Sequence, residues 1–185
     1  AWGLLLGTRM IYPVILPHLR TTYSLDLSTA GLLITILWLG SAIGQLPSGI
    51  LADRYSERKV MVASTILASI AILLVASSPN AVILYAATGI LGLGLSLYPI
   101  ARITILSHVY PERIGSALGV TMATGDIGQT ILPPLAGFLA AAVAWELGLG
   151  YVIPFILLTT IGIWITVPTF ETQSSVDDMT RDNTR

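Results

Sequence analysis

The stretch Gly49-Ile50-Leu51-Ala52-Asp53-Arg54-Tyr55-Ser56-Glu57-Arg58-Lys59-Val60 gathers five charged side chains between positions 53 and 59. On both sides the charge disappears. Leu27 to Ala52 carries none, and neither does Val60 to Ala101. Roughly 20 apolar residues cross a bilayer as a helix, so the stretch reads as a polar loop between two membrane-crossing segments.

Composition points the same way. Of 185 residues, 54% are hydrophobic and 10% are charged, against about 25% charged in a soluble domain. Nine Lys/Arg and ten Asp/Glu are too few to coat a soluble globule of this size. A net charge of −1 offers no basic footprint for nucleic acid. With no cysteine, disulfides, thiolate nucleophiles and Cys-based metal sites are excluded. The start, with Arg9 inside its apolar run and no basic stretch ahead of it, does not read as a signal peptide.

Outward from the loop, the long run from Val60 to Ala101 breaks at Ser77-Ser78-Pro79-Asn80, a turn cluster. Leu147 to Phe170 is a further charge-free run, and two apolar stretches carry single internal charges, Arg9 and Asp126. The expected spans are 1–18, 27–51, 60–77, 81–106, 114–143 and 147–167. This is an all-α membrane protein of six transmembrane helices, with residues 1–167 as the membrane domain.

Cations set the orientation. Arg54, Arg58, Lys59 and Arg113 lie in the loops at 52–59 and 107–113, against Arg20 alone on the other side. Those two loops are therefore expected in the cytoplasm, and with six spans both termini follow. Residues 168–185, polar with Asp177, Asp178 and Asp182 against Arg181 and Arg185, read as a cytoplasmic tail or linker.

Small residues at four-residue spacing, Gly40, Gly44 and Ser48 and then Gly115 and Gly119, are expected to let helix backbones approach closely. The prolines at 13, 17, 47, 99, 133, 134 and 154 are expected to bend or break helices, and the Pro133-Pro134 pair to interrupt the fifth span.

The loop and its flanks resemble a family signature. Gly49-Ile50-Leu51-Ala52-Asp53-Arg54-Tyr55-Ser56-Glu57-Arg58 is similar to the G-x-L-A-D-R-x-G-R-[KR] motif between helices 2 and 3 of major facilitator superfamily transporters. Gly49, Leu51, Ala52, Asp53, Arg54 and Arg58 match, while Ser56 and Glu57 depart. Residues 88–99 resemble the glycine-rich fourth helix of that family through Gly92 and Gly94, with Thr88 where Arg often stands. Gly128 to Phe138 resembles the antiporter G-P-x-x-G-G bend only at Pro134 and Gly137, beside Pro133.

The resemblance implies half of a twelve-helix transporter, the N-terminal six helices, built as two inverted three-helix units. It implies a secondary active transporter that moves a small solute by alternating access, with H+ as a coupling ion, in the plasma membrane. The 49–58 motif (Gly49, Asp53, Arg54, Arg58) would latch the two halves. The missing half, or a second copy of the chain, would complete the cavity.

Charges within spans are costly and usually line a cavity or pair. Arg9 and Asp126 lie near the middles of the first and fifth spans, helices that border the central cavity in the resembling family. Two readings stand side by side. Arg9 holds an anionic solute while Asp126 carries a proton, with Tyr12 and Gln129 one turn along; or Arg9 and Asp126 form a static pair that fixes packing. Trp38, deep in its helix, and Tyr98 are further cavity-lining candidates. Arg102 is expected to snorkel toward the 53–59 loop or lipid phosphate. Trp2 and Trp145 suit interfacial anchoring, and His18 and His108, at opposite ends, cannot share a metal.

Other classes fit less well. The G-x-G-D of aspartyl intramembrane proteases is absent because Ala123 precedes Thr124, and no second intramembrane carboxylate exists to share a proton. No His-Glu metal motif or G-x-S-x-G occurs, so the chain is not expected to be an enzyme or to need a cofactor. A six-helix channel or a non-transporting membrane protein stays as the alternative, although nothing resembles a voltage sensor or a carbonyl filter.

Overall fold

The computed structural model describes residues 1–168, apart from the side chains of residues 52–54. It is helical nearly throughout: α1 (Trp2–Thr22), α2 (Leu27–Arg54), α3 (Glu57–Ala76), α4 (Ala81–Val109), α5 (Ile114–Ala142), α6 (Trp145–Gly150) and α7 (Ile153–Thr166), with one turn of 3-10 helix at Pro111–Arg113 before α5. The tail expected from 168 onward lies, except for Pro168, outside the described residues.

Each start has a local cause. At α2, Asp26 Oδ1 accepts from the Thr29 amide at 2.9 Å. At α4, Asn80 Oδ1 accepts from the Ile83 amide at 3.0 Å. Both side chains satisfy a donor that the first helical turn leaves free. The turn expected at Ser77–Asn80 falls between α3 and α4.

Four segments among the described residues are long and apolar enough to cross a membrane: Leu27–Leu51, Glu57–Ala76, Ala81–Val109 and Trp145–Thr166. α1 and α5 are long as well, 21 and 29 residues, but polar groups such as Arg9, His18 and Arg20 in α1 and Asp126 in α5 dilute their apolar character.

The prolines do not break the helices that hold them. Pro13, Pro17, Pro47, Pro99, Pro133 and Pro134 all lie inside continuous helices, and α5 is not interrupted at Pro133-Pro134. The pair removes two amide donors, yet Tyr151, between α6 and α7, donates its hydroxyl to the Leu132 carbonyl at 2.7 Å and ties the region to a neighbour. The helix is interrupted instead between α6 and α7, at Tyr151 and Val152. Pro154 sits in the first turn of α7, where its missing donor costs least.

Packing pairs α1 with α5, α2 with α4, α3 with α4 and α7, and α5 with α6. Fully buried Ile11, Tyr12, Ile15 and Leu19 of α1 belong to one core with Leu33 and Leu37 of α2, Ile72 of α3, Leu84 and Leu91 of α4, and Leu149 and Ile156 beyond. Glycines fix two of these seams. A Cβ at Gly92 of α4 would overlap the Leu37 carbonyl and lie 2.9 Å from the Ser41 amide of α2. A Cβ on Gly128 of α5 would fall on the backbone of Gly3 in α1. Gly40 and Gly44 are close-packed as expected, whereas Gly115 and Gly119 meet nothing within 4 Å, so the tight contacts expected of them are not made within the described residues; Gly49 is open as well.

Candidate functional site

Arg9 lies at mid-length in α1 and turns toward α2. Its Nη2 donates to Ser41 Oγ at 2.8 Å, and its guanidinium stands over the Trp38 ring, 4.5 Å from the centroid. Trp38 and Ser41, three residues apart, share one face of α2. Ser41 is buried and donates onward to the Gly92 carbonyl of α4 at 3.1 Å. Trp38 is about half exposed. A cation held by a hydroxyl and a ring face keeps donors free for an anion.

No ion pair forms between Arg9 and Asp126, so the static pair is not made. Asp126 is exposed on α5, with Gln129 Nε2 donating to its Oδ1 at 3.4 Å. Tyr12 is fully buried and hydrogen-bonded to Thr88 of α4, which separates it from the open face that Arg9 borders. Thr88, at the position where the resembling family often has Arg, thus serves as a core partner and also donates to the Leu84 carbonyl at 2.7 Å.

Arg102 departs from expectation. It does not snorkel: only 5% of it is exposed. Its Nη1 donates to Thr121 Oγ1 of α5 at 3.1 Å, and its guanidinium lies over the Trp2 ring, 4.1 Å from the centroid. Tyr98, one turn before Arg102 and 5% exposed, stacks on Trp2 with centroids 6.2 Å apart. Tyr98 therefore belongs with Arg102 rather than with Arg9. The reason is packing: α1 lies along α5 and carries Trp2 over the end of α4, giving Arg102 an aromatic roof.

In the charged loop, the side chains of Asp53 and Arg54 lie outside the described residues. Arg58 stands over the ring of Trp164 in α7 at 4.0 Å, and Glu57, nearly buried, sits 3.5 Å from His108 Nδ1 at the end of α4. Gly49 is open. Trp145 is buried against Tyr23, edge to face at 6.2 Å, so it packs into the core instead of anchoring in lipid. Tyr23 in turn donates its hydroxyl to the Ser78 carbonyl at 2.7 Å. Among the described residues no cluster of His, Cys, Asp and Glu is arranged to hold a metal.

Sequence reasoning missed Ser41, Thr121 and the role of Trp2. For Ser41 a signal existed: it follows Trp38 by three residues on a face otherwise apolar. Thr121 carried none, because its partner comes from another helix.

The chain resembles known proteins along most of its length. It is 31% identical over 134 residues to the gentisate transporter of Corynebacterium glutamicum, covering 72% of this chain and 30% of that protein. It is 32% identical over 146 residues to the 4-hydroxybenzoate transporter PcaK of Pseudomonas aeruginosa, covering 77% and 33%. The chain thus spans about a third of the length of these curated relatives. Among solved structures, a bacterial homologue of the human drug peptide transporters PepT1 and PepT2 shares the fold with a TM-score of 0.72 at 16% identity, over 88% of this chain and 38% of that one. The family model described as Major Facilitator Superfamily matches residues 2–180, so the chain belongs to the Major Facilitator Superfamily.

Proposed function

We propose that the chain is half of a secondary active transporter that moves a small organic anion across the plasma membrane by alternating access, coupled to protons. The observation that carries this reading is Arg9: a guanidinium at mid-helix beside an indole face, with a hydroxyl and no carboxylate among the described residues as its partner. Such a group suits a carboxylate attached to a flat apolar body. The named substrates of the similar transporters, gentisate and 4-hydroxybenzoate, are of that class. Asp126, exposed on α5 with Gln129 beside it, is the proton carrier in this proposal.

Six crossings with both termini in the cytoplasm form the proposed topology, arranged as two inverted three-helix units. The helix pairing supports it. Exchanging the first three spans for the second three turns the α1–α5 pair into the α4–α2 pair, and both are extensive contacts. The open glycines Gly49, Gly115 and Gly119 leave room for a second half or a second copy, with Asp53, Arg54 and Arg58 as the latch between halves.

The test is uptake of labelled 4-hydroxybenzoate into proteoliposomes holding the complete transporter under an imposed pH gradient. Wild type is expected to accumulate it, and Arg9→Gln to reduce uptake at least tenfold, with Arg9→Lys intermediate. Undiminished uptake by Arg9→Gln would remove the anion-binding role.

A further inference from the structure

A second cation lies away from the Arg9 site. Where α4 ends and α5 begins, a cavity of about 330 Å³ is bordered by Trp2, Tyr98, Arg102, Tyr110, Thr121 and Thr124. Arg102 is 95% buried there by its 5% exposure. Its single hydrogen bond goes to Thr121, and its Nε is buried without a partner. No carboxylate among the described residues pairs with it. Buried charges are ordinarily paired, and this guanidinium, which borders the cavity and has no carboxylate partner among the described residues, is a place for an anion.

The rest of the wall says what else the anion carries. Trp2 and Tyr98 stack nearly parallel, with an interplanar angle of 13°, and their rings join the apolar side chains of Ile105 and Leu106. That is a surface for a flat apolar body rather than for a bare inorganic ion. The volume lies at the small end of the range for small-molecule pockets. Trp2 also borders a narrow crevice with Leu6, Arg9 and Pro99, so one indole stands between the two guanidiniums.

We infer that this cavity is a second station for a small aromatic carboxylate, Arg102 taking the carboxylate and the Trp2–Tyr98 stack the ring. It rests on the reading of the chain as an organic-anion carrier and adds a step to it: the anion leaves Arg9 past Trp2 and is received by Arg102 before release. The exchange swaps one guanidinium partner for another, with no covalent change.

Equilibrium binding of labelled 4-hydroxybenzoate to the purified complete protein in detergent tests it. Two sites per chain are expected. Arg102→Gln should remove one and leave the other; Arg9→Gln should remove the complementary one. Thr121→Val, which keeps the charge and the shape, should weaken the Arg102 site several-fold and leave the Arg9 site unchanged. Dihexanoyl-phosphatidate, a soluble lipid phosphate, should not displace the ligand from the Arg102 site. A single site, unaltered stoichiometry in Arg102→Gln, or displacement by the phosphatidate would overturn the assignment. The two readings fail separately: if the second station does not exist, the wild-type protein still takes up the anion and binds it at the Arg9 site alone, whereas failure of the transport reading leaves the wild-type protein without uptake whatever the stoichiometry.

Discussion

Arg9 of α1 donates to the hydroxyl of Ser41 in α2 at 2.8 Å, and Ser41 passes its own proton on to the Gly92 carbonyl of α4 at 3.1 Å. Three helices that meet at mid-length are thereby joined through one hydroxyl. The relay orients the guanidinium across the Trp38 ring and depends on α2 and α4 lying close enough for a buried serine to reach a backbone carbonyl. Site geometry and helix packing are one problem here.

Ser41→Ala should loosen Arg9 without removing its charge. A hydrogen bond to a charged group contributes about 1.5–3 kcal/mol when buried; Arg9 is only partly buried, so about 1 kcal/mol is the expected loss. That corresponds to a roughly fivefold rise in KM for the anion, with kcat little changed, because the lost contact orients bound substrate in every state. Uptake kinetics against substrate concentration give both constants. An unchanged KM would mean that Ser41 does not position Arg9.

Asp126→Asn should separate binding from coupling. The substitution keeps the shape and the contact with Gln129 but cannot release a proton. Counterflow of labelled anion, which needs no net proton movement, is expected to persist, while accumulation driven by a pH gradient falls to the background of empty vesicles. Full pH-driven accumulation in the variant would exclude Asp126 as the carrier.

Gly92→Ala should destabilise the protein, although alanine is the better helix former by about 0.8–1 kcal/mol. The added methyl would overlap the Leu37 carbonyl, a backbone atom that cannot swing away, and overpacking of this kind costs about 1–3 kcal/mol. Gly31, on the same α2 seam's outer side with open space around it, provides the contrast: Gly31→Ala should be neutral or stabilising. Thermal unfolding in detergent reports both, and shifts of the same sign would show that steric closeness at Gly92 is not what matters.

Much of this architecture was legible from charge alone. The empty runs around 53–59 located α2, α3 and α4 to within a few residues, because a helix in lipid must satisfy its own backbone and can spare few charges. Side-chain partners were not legible, for a physical reason. The sequence alone allows Arg9 to be drawn toward a carboxylate on α5 or a hydroxyl on α2, and the rotation of α1 decides between them. That rotation is set by Gly3 and Gly7 packing on Gly128, contacts whose partners lie more than 120 positions apart. The prolines misled for a related reason. Proline removes a local donor, but whether a helix breaks there depends on what packs beside it, and Tyr151 reaches Leu132 from 19 positions away. Arg102 looked like a snorkelling residue because its place near a helix end is local information, whereas its roof, Trp2, arrives from the other end of the sequence.

The start of α2 yields a prediction with a defined pH dependence. Asp26 caps the helix through the Thr29 amide and also accepts from the Thr29 hydroxyl. These bonds favour the ionised form and hold its carboxyl below the ordinary value of 3.8. A depressed folded-state pKa means that the unfolded chain takes up the proton first as pH falls. The contribution of the cap is therefore complete above about 3.8 and declines below it, disappearing as pH drops through the lower folded value. Asp26→Asn keeps a side-chain acceptor that does not titrate, and Asp26→Ala has none. The stability gap between wild type and Asp26→Ala is expected to be constant from pH 7 to pH 5 and to narrow toward pH 3, while the gap between Asp26→Asn and Asp26→Ala stays level throughout. Thermal melts of the three proteins across that range measure both gaps. A wild-type gap that fails to narrow would show that the carboxylate is not what holds the first turn of α2.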